Sequence, residues 1–328
     1  MKSSSLTPSL ILLLSVINFP LHALSQDSNI RLPIAEIERK LKFDTFEVKK
    51  IEEFEHLRFQ ALSAKVKLPK RVTLKLGDGS EMRVRWKTSE RGGQAFNNQP
   101  RYQIAAYRFQ QLFLDPKDYV VPPTVGRCLP VGQYRGIERN AKATFKNTEA
   151  VFFVLQYWLD NVTDEDIYDE VRFKSDSIYA RHFANMNIFS CLIKHSDSNK
   201  GNFLISTDRA NPRVFAVDND IAFGKAESDR GTEWQKIRVK RLPQETIERL
   251  RKITLQDIKK SLDVVAQYKI MNGQLITTEP TRNLDERKGV RQEDDIVQFG
   301  LTSKEIDGIY SRLKKLLKQV DSGKIETF

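Results

Sequence analysis

Moving a phosphoryl group takes few side chains: a carboxylate that orients the attacking hydroxyl and takes its proton, and oxygen donors that hold Mg²⁺ across the phosphates. One stretch of the chain supplies them. His195-Ser196-Asp197-Ser198-Asn199-Lys200-Gly201-Asn202 is followed, sixteen residues after Asn202, by Asp218 in Val217-Asp218-Asn219-Asp220-Ile221-Ala222-Phe223-Gly224. Asp197 is the candidate base. Asn202 and Asp218 are the candidate metal ligands, because Mg²⁺ keeps several of its waters and takes few protein oxygens. His195 is read as a brace for the loop backbone rather than as a proton carrier. Taken alone, the loop also fits a plain solvated turn around Asn199-Lys200-Gly201.

These residues need elements to bring them together. Ser177–Lys194 has the apolar content of a buried helix, through Ile178, Phe183, Met186, Ile188, Phe189 and Leu192, and it leads into the polar loop 195–202. Phe203-Leu204-Ile205, a turn over Asp208–Pro212 and Val214-Phe215-Ala216-Val217 then form a hairpin. That hairpin returns Asp218 to the side of Asn202. Upstream, Val72–Leu76 and Met82–Trp86 alternate around a Gly77-Asp78-Gly79 turn, and Lys87 ends the second strand. A helix is predicted over 100–114, with Pro100 in its first turn. Val120–Pro123 is extended, and Val151–Leu155 is a buried strand. The spacing of Ile34, Ile37, Leu41, Ile51, Phe54 and Leu57 predicts helix across 30–62. Helices are predicted near 243–252, 254–269 and 302–320, and 277–295 is polar enough for an exposed loop.

The spacing His-x-Asp-x4-Asn is the catalytic-loop pattern of protein kinases, where a strand Lys also contacts the α- and β-phosphates. Lys87 holds that place in the order of elements. Arg101-Tyr102-Gln103-Ile104-Ala105-Ala106-Tyr107 and Val121-Pro122-Pro123-Thr124-Val125-Gly126-Arg127 resemble the helix and exit of secretory-pathway Golgi casein kinase-type proteins, and Asp218–Gly224 resembles their metal segment. The Asn199–Asn202 loop is also similar to HipA-type and phosphatidylinositol 3-/4-kinase-like bacterial proteins. The resemblance covers roughly residues 57–270. It implies an α+β, bilobal protein-kinase-like fold that binds ATP with Mg²⁺ or Mn²⁺: residues 57–155 a small antiparallel-sheet lobe with one main helix, 156–328 a larger, mostly helical lobe. Residues 26–56 precede these as a helical segment. Adenine is placed near Gln156, Tyr157 and Trp158, whose backbone groups do the pairing. The resemblance leaves the acceptor open among protein, lipid and sugar hydroxyls.

Two departures stand out. Where the family's helix carries a Glu that pairs with the strand Lys, this chain has Gln103, with Glu90 or Glu138 as substitutes for the missing charge. No Gly-rich phosphate loop is visible. Its place is Ala61–Lys70, where Ser63, Lys65 and Lys67 either face phosphates or form a plain basic connection. The residues therefore admit three functions: an active secreted phosphotransferase, a nucleotide-binding pseudokinase, or a non-catalytic envelope interaction module.

Composition narrows the class. The 328 residues are 40% hydrophobic and 30% charged, which excludes collagen-like and wholly disordered chains. The formal charge of +11 favours anionic partners, an acidic protein, lipid or glycan acceptor among them. The cations are spread out and no nucleic-acid-binding motif is present, so nucleic acid is not the expected partner. Leu10–Phe19 is a short apolar run ended by Pro20, and Ala23-Leu24-Ser25 fits a signal-peptidase site before Gln26. Residues 1–25 are thus read as a cleaved signal peptide, placing the protein in a periplasm or outside the cell, or in a secretory lumen if the source is eukaryotic. Asn161-Val162-Thr163 is a glycosylation sequon only in that last case. No later segment is apolar enough to span a bilayer, and a monomer or weak dimer is expected. Cys128 and Cys191 are too few for a disulfide scaffold; whether they pair is left open.

Overall fold

Alternating apolar residues and one glycine turn set up the first sheet. The computed structural model describes residues 27–53, 68–198, 201–224 and 231–328. Helix α1 (Ile34–Phe43) leads into strands β1 (Phe46–Glu53), β2 (Lys70–Leu76) and β3 (Glu81–Thr88). Gly79 closes the β2–β3 turn at φ 83°, a left-handed conformation that a side chain would strain. Helix α2 (Pro100–Gln110) follows, with Pro100 in its first turn, then β4 (Thr124–Pro130), the short helix α3 (Val131–Tyr134) and β5 (Ala150–Tyr157). The five strands pair antiparallel in the order β1-β2-β3-β5-β4.

The two faces of this sheet meet different cores. Ile37 and Leu41 of α1 share one apolar cluster with Val72, Val84, Trp86, Phe153 and Leu155. Trp86 stacks on Phe153 with ring centroids 4.0 Å apart, and its indole N–H donates to Tyr134 Oη at 2.7 Å. The opposite face carries Phe152 and Val154 into the larger core with α2 and the helices that follow. Of the helix predicted across 30–62, only Ile34–Phe43 is helical in the described part and Phe46–Glu53 is strand, while 54–62 lie outside the described residues. A bulge hides the strand: the β1–β2 register shifts between Val48 and Lys50, which takes Ile51 out of the alternation that Phe46 and Val48 begin.

The second half opens with β6 (Val162–Thr163), α4 (Glu170–Ser175) and α5 (Ser177–Leu192). Asp176 caps α5, its carboxylate accepting from Ile178 N and Tyr179 N at 3.0 Å each. Strands β7 (Phe203–Ser206) and β8 (Val214–Ala216) pair as a hairpin, and β6 adds to β7. After β9 (Arg241–Leu242) come α6 (Gln244–Arg251) and α7 (Leu255–Leu262). A four-stranded antiparallel sheet follows: β10 (Ala266–Met271), β11 (Gln274–Thr278), β12 (Val290–Glu293) and β13 (Ile296–Phe299), in the order β11-β10-β13-β12. Helix α8 (Ser303–Asp321) buries Ile306, Ile309, Leu313 and Leu316, and β14 (Glu326–Thr327) pairs with β9. The whole is a mixed α+β fold with antiparallel sheets.

The last sheet corrects two expectations. The helix predicted over 254–269 ends at Leu262, and the exposed loop predicted over 277–295 contains the end of β11 and all of β12. Residues 156–328 are accordingly less helical than foreseen. Hydropathy misses this sheet because its buried positions include polar side chains that satisfy one another. Gln298 Nε2 donates to Gln267 Oε1 at 2.6 Å, and the Arg291 guanidinium donates to the carbonyls of Asp263, Asp285 and Leu301.

Cys128 and Cys191 are both free thiols. No helix among the described residues is long and apolar enough to cross a membrane. The predicted signal peptide, the place of the missing phosphate loop through Lys67, and Asn199 and Lys200 lie outside the described residues.

Candidate functional site

Strand β3 aims alternate side chains at opposite faces, so Arg85 and Lys87 point together to the α2 side while Val84 and Trp86 fill the outer core. Helix α5 ends at Leu192, and Lys194 turns the chain at φ 52° into the loop that begins at His195. This loop is fastened to the segment after β8. His195 Nε2 lies 2.7 Å from the Asp218 carbonyl, and Ser196 N donates to Ile221 O at 2.8 Å. Val217 N donates to Asn202 O at 2.9 Å, so the β7–β8 hairpin sets Asp218 next to Asn202 in backbone terms. Asn202 Nδ2 donates to the Asp197 carbonyl at 2.9 Å and to Asp197 Oδ2 at 2.8 Å. Asp197 is thereby fixed at its base, and His195 is a fully buried brace whose charged form burial disfavours.

Two cation–carboxylate pairs cross from β3 to this segment. Lys87 Nζ pairs with Asp220 Oδ2 and also donates to Asn97 O at 3.1 Å. Arg85 Nη2 stands 2.5 Å from Asp218 Oδ2, and Gln103 Nε2 donates to Asp218 Oδ1 at 2.8 Å. The second Asp220 oxygen accepts from Gln99 N at 2.9 Å, just ahead of α2. Lys87 therefore does not pair with Gln103, and neither Glu90 nor Glu138 is its counter-ion. Glu138 instead accepts from Thr88 Oγ1 at 3.2 Å.

Charge follows from this arrangement. Burial works against ionisation of Asp218, yet the Arg85 guanidinium and the Lys87 ammonium overcome it and hold the carboxyl well below the usual carboxylate range. Burial pushes Asp220 the other way, opposed by Lys87 and reinforced by the charge on Asp218. Backbone strain gathers at the same place. Phe223 adopts φ 58° and donates its N–H to Ile193 O at 2.6 Å, so the segments entering and leaving the site each carry a non-glycine residue in the left-handed region. Each such residue costs on the order of 1 kcal/mol, which the surrounding packing must offset.

Helix α2 is held from its far side. Arg101 makes a buried two-point pair with Glu305 at 2.7 and 2.9 Å, and Tyr102 Oη donates to the same carboxylate. Glu305 also closes the capping box of α8 with Thr302. A cavity of about 120 Å³ opens between α2 and the Asp220 segment, lined by Phe96, Gln99, Tyr102, Asp220, Ile221 and Gly224 among others.

Gln156 lies opposite Arg85 across the β3–β5 pair and donates to Thr124 Oγ1 at 3.1 Å. The Tyr157 and Trp158 N–H groups donate to Pro123 O and Arg83 O at 2.8 and 3.0 Å. Those two backbone donors are thus engaged within the protein, contrary to the expectation that they face a base.

The donor set suits a hard divalent cation. The Asp218 carboxylate is partly open to solvent, and Gln103 Oε1 is a buried acceptor with no hydrogen-bond partner. Among the described residues no group of three or more His, Cys, Asp or Glu forms a metal cluster, so a cation here would rely on one carboxylate and amide oxygens with water. Sequence reasoning missed Arg85 and Asp220. The signal was present in the matched i, i+2 spacings Arg85-x-Lys87 and Asp218-x-Asp220. The chain matches no protein-family model and no curated protein.

Proposed function

We propose that this chain is a secreted, ATP-dependent phosphotransferase of bilobal, protein-kinase-like build, acting on a hydroxyl acceptor. The observation that carries the proposal is the convergence of four separate segments. β3 brings Lys87, the loop after α5 brings Asp197 and Asn202, the segment after β8 brings Asp218, and α2 brings Gln103, all within one hydrogen-bonded network. Lys87 stands on the third strand and α2 follows it, the order expected of a kinase Lys and its helix. Asn202 and Asp218, with the Gln103 amide oxygen, would hold Mg²⁺ or Mn²⁺, which supplies neutralisation of phosphate charge.

In this scheme Lys87 binds the α- and β-phosphates and Gln156 borders the base. Asp197 orients the acceptor hydroxyl. The acceptor oxygen bonds to the γ-phosphorus as the bond from that phosphorus to the ADP oxygen breaks, and the acceptor proton passes to Asp197. The test is incubation of the purified chain with γ-labelled ATP, Mn²⁺ and a panel of protein, lipid and glycan acceptors. Label transfer that disappears in Asp197→Asn and Asp218→Asn is the expected result. Folded wild-type protein that neither binds nor turns over ATP would leave the non-catalytic envelope module.

One observation favours the pseudokinase. Gln103 brings an amide where a carboxylate would neutralise Lys87, and it donates to Asp218 instead of adding charge to the metal site. Nucleotide binding with no label transfer to any acceptor is the outcome that selects that reading.

A further inference from the structure

Arg85 is the one cation in direct contact with the carboxylate assigned to the metal, among the contacts the described residues make. Its Nη2 covers Asp218 Oδ2 at 2.5 Å and its Nη1 donates to Val217 O at 3.2 Å, while Gln103 covers Oδ1. A guanidinium on Oδ2 fills one of its acceptor directions and sets a positive charge where a divalent cation would approach. The guanidinium is not sealed in, however: its side chain is 13% exposed and that of Asp218 is 24% exposed. Arg85 also stands two residues from Lys87 on the same face of β3, about 7 Å along the strand. Phosphates drawn to Lys87 are therefore within reach of Arg85, and a planar guanidinium binds phosphate oxygens in pairs.

We infer that Arg85 is a movable stopper on Asp218: it shuts out a divalent cation from the empty site and, when ATP enters, transfers to the phosphates and uncovers the carboxylate. The inference rests on the assignment of Asp218 as the metal ligand made under Proposed function. Its consequence is that metal and nucleotide bind cooperatively, because each removes an obstacle to the other, and the coupling is reciprocal. Lys87 is not equivalent in this respect, since its ion pair is with Asp220 and not with Asp218.

The experiment measures Mn²⁺ binding to the full chain from the electron paramagnetic resonance signal of free Mn²⁺, without nucleotide, and metal-free ATP binding by calorimetry. Arg85→Gln is expected to bind Mn²⁺ alone more tightly than wild type, within the roughly 5–150-fold range of site coupling. The same variant should bind metal-free ATP about tenfold more weakly, the loss of a charge-assisted hydrogen bond. Arg85→Lys keeps the charge and should retain low affinity for Mn²⁺ alone, which separates removal of the stopper from general loosening. If Arg85→Gln binds Mn²⁺ alone no better than wild type, while both take Mn²⁺ with ATP, the stopper is overturned and the metal site stands. If the tight Mn²⁺ binding of Arg85→Gln survives addition of Asp218→Asn, or if no folded form takes Mn²⁺ with or without ATP, both the stopper and the metal assignment fall.

Discussion

Lys87 and Asp220 form a buried ion pair across 133 residues of sequence, and this pairing is what leaves Asp218 to Arg85 and Gln103. Removing one partner strands the other charge in a dry site, which costs about 3–5 kcal/mol. Lys87→Ala and Asp220→Ala should each destabilise the protein by amounts of that order. The double variant should lose much less than the sum, with a coupling of at least ~1 kcal/mol. Urea unfolding of the four proteins measures it, and additive losses would mean that the two side chains are not partners.

In the proposed scheme Asp197 acts in transfer rather than in ATP binding. Asp197→Asn keeps the shape and can still accept from Asn202, but it cannot take a proton. Turnover should fall by about 10²–10⁴, with ATP affinity changed little. A parallel loss of affinity would assign Asp197 to nucleotide binding instead.

Gln103→Glu tests the amide on α2. The substitution removes the 2.8 Å donation to Asp218 and sets two carboxylates side by side. Without metal the variant should melt below wild type. With Mn²⁺ and ATP at about 100 times the dissociation constant, binding should contribute roughly 2.7 kcal/mol. At about 2–4 °C per kcal/mol for domains somewhat smaller than this chain, the shift is readable. The gap between metal-loaded and chelated samples should be wider in Gln103→Glu than in wild type, and an equal gap would detach Gln103 from the proposed metal site.

His182 gives a pH signature outside the site. It is buried beside Asp118, with its Nδ1 3.6 Å from the carboxylate. Burial, then the charges of Arg181 and Arg213, push it down from 6.5 to about 3. The unfolded chain binds a proton at this residue near pH 6.5 and the folded protein does not, so the unfolded state gains protons as the pH falls. Stability from neutral His182 is present above pH 6.5 and declines toward 3. Between pH 7 and 5 the melting temperature should therefore drop in wild type, and His182→Gln should flatten the slope. An unchanged slope in the variant would place the titration elsewhere.

Much of the frame around the site was legible because it is local. The Gly77–Gly79 turn, Pro100 at the start of α2 and the Phe203–Val217 hairpin are written in adjacent residues, and the structure forms each of them. The β1 bulge was not legible, since one extra residue takes Ile51 out of the alternation begun by Phe46 and Val48. Nor was the β10–β13 sheet, where Gln267, Arg291 and Gln298 are buried by mutual hydrogen bonding and look like loop residues in sequence. The partner of Lys87 was missed for another reason. Which of Asp218 and Asp220 faces it depends on how β3 meets the chain after β8, a choice that spacing within either segment does not decide.

Arg101 and Glu305 give the molecule an order of assembly in time. The two are 204 residues apart, and the guanidinium at the start of α2 has its buried carboxylate only on the final helix. On a ribosome adding about 5–20 residues per second, roughly 10–40 s separate the synthesis of α2 from that of its anchor. In the second half of that interval β3 and the loop through Asn202 have been synthesised, yet the helix bearing Gln103 lacks the contact that seats it. Seating of α2 on its anchor must therefore wait until α8 has been synthesised, and until then the nascent chain carries Gln103 on a helix without that contact.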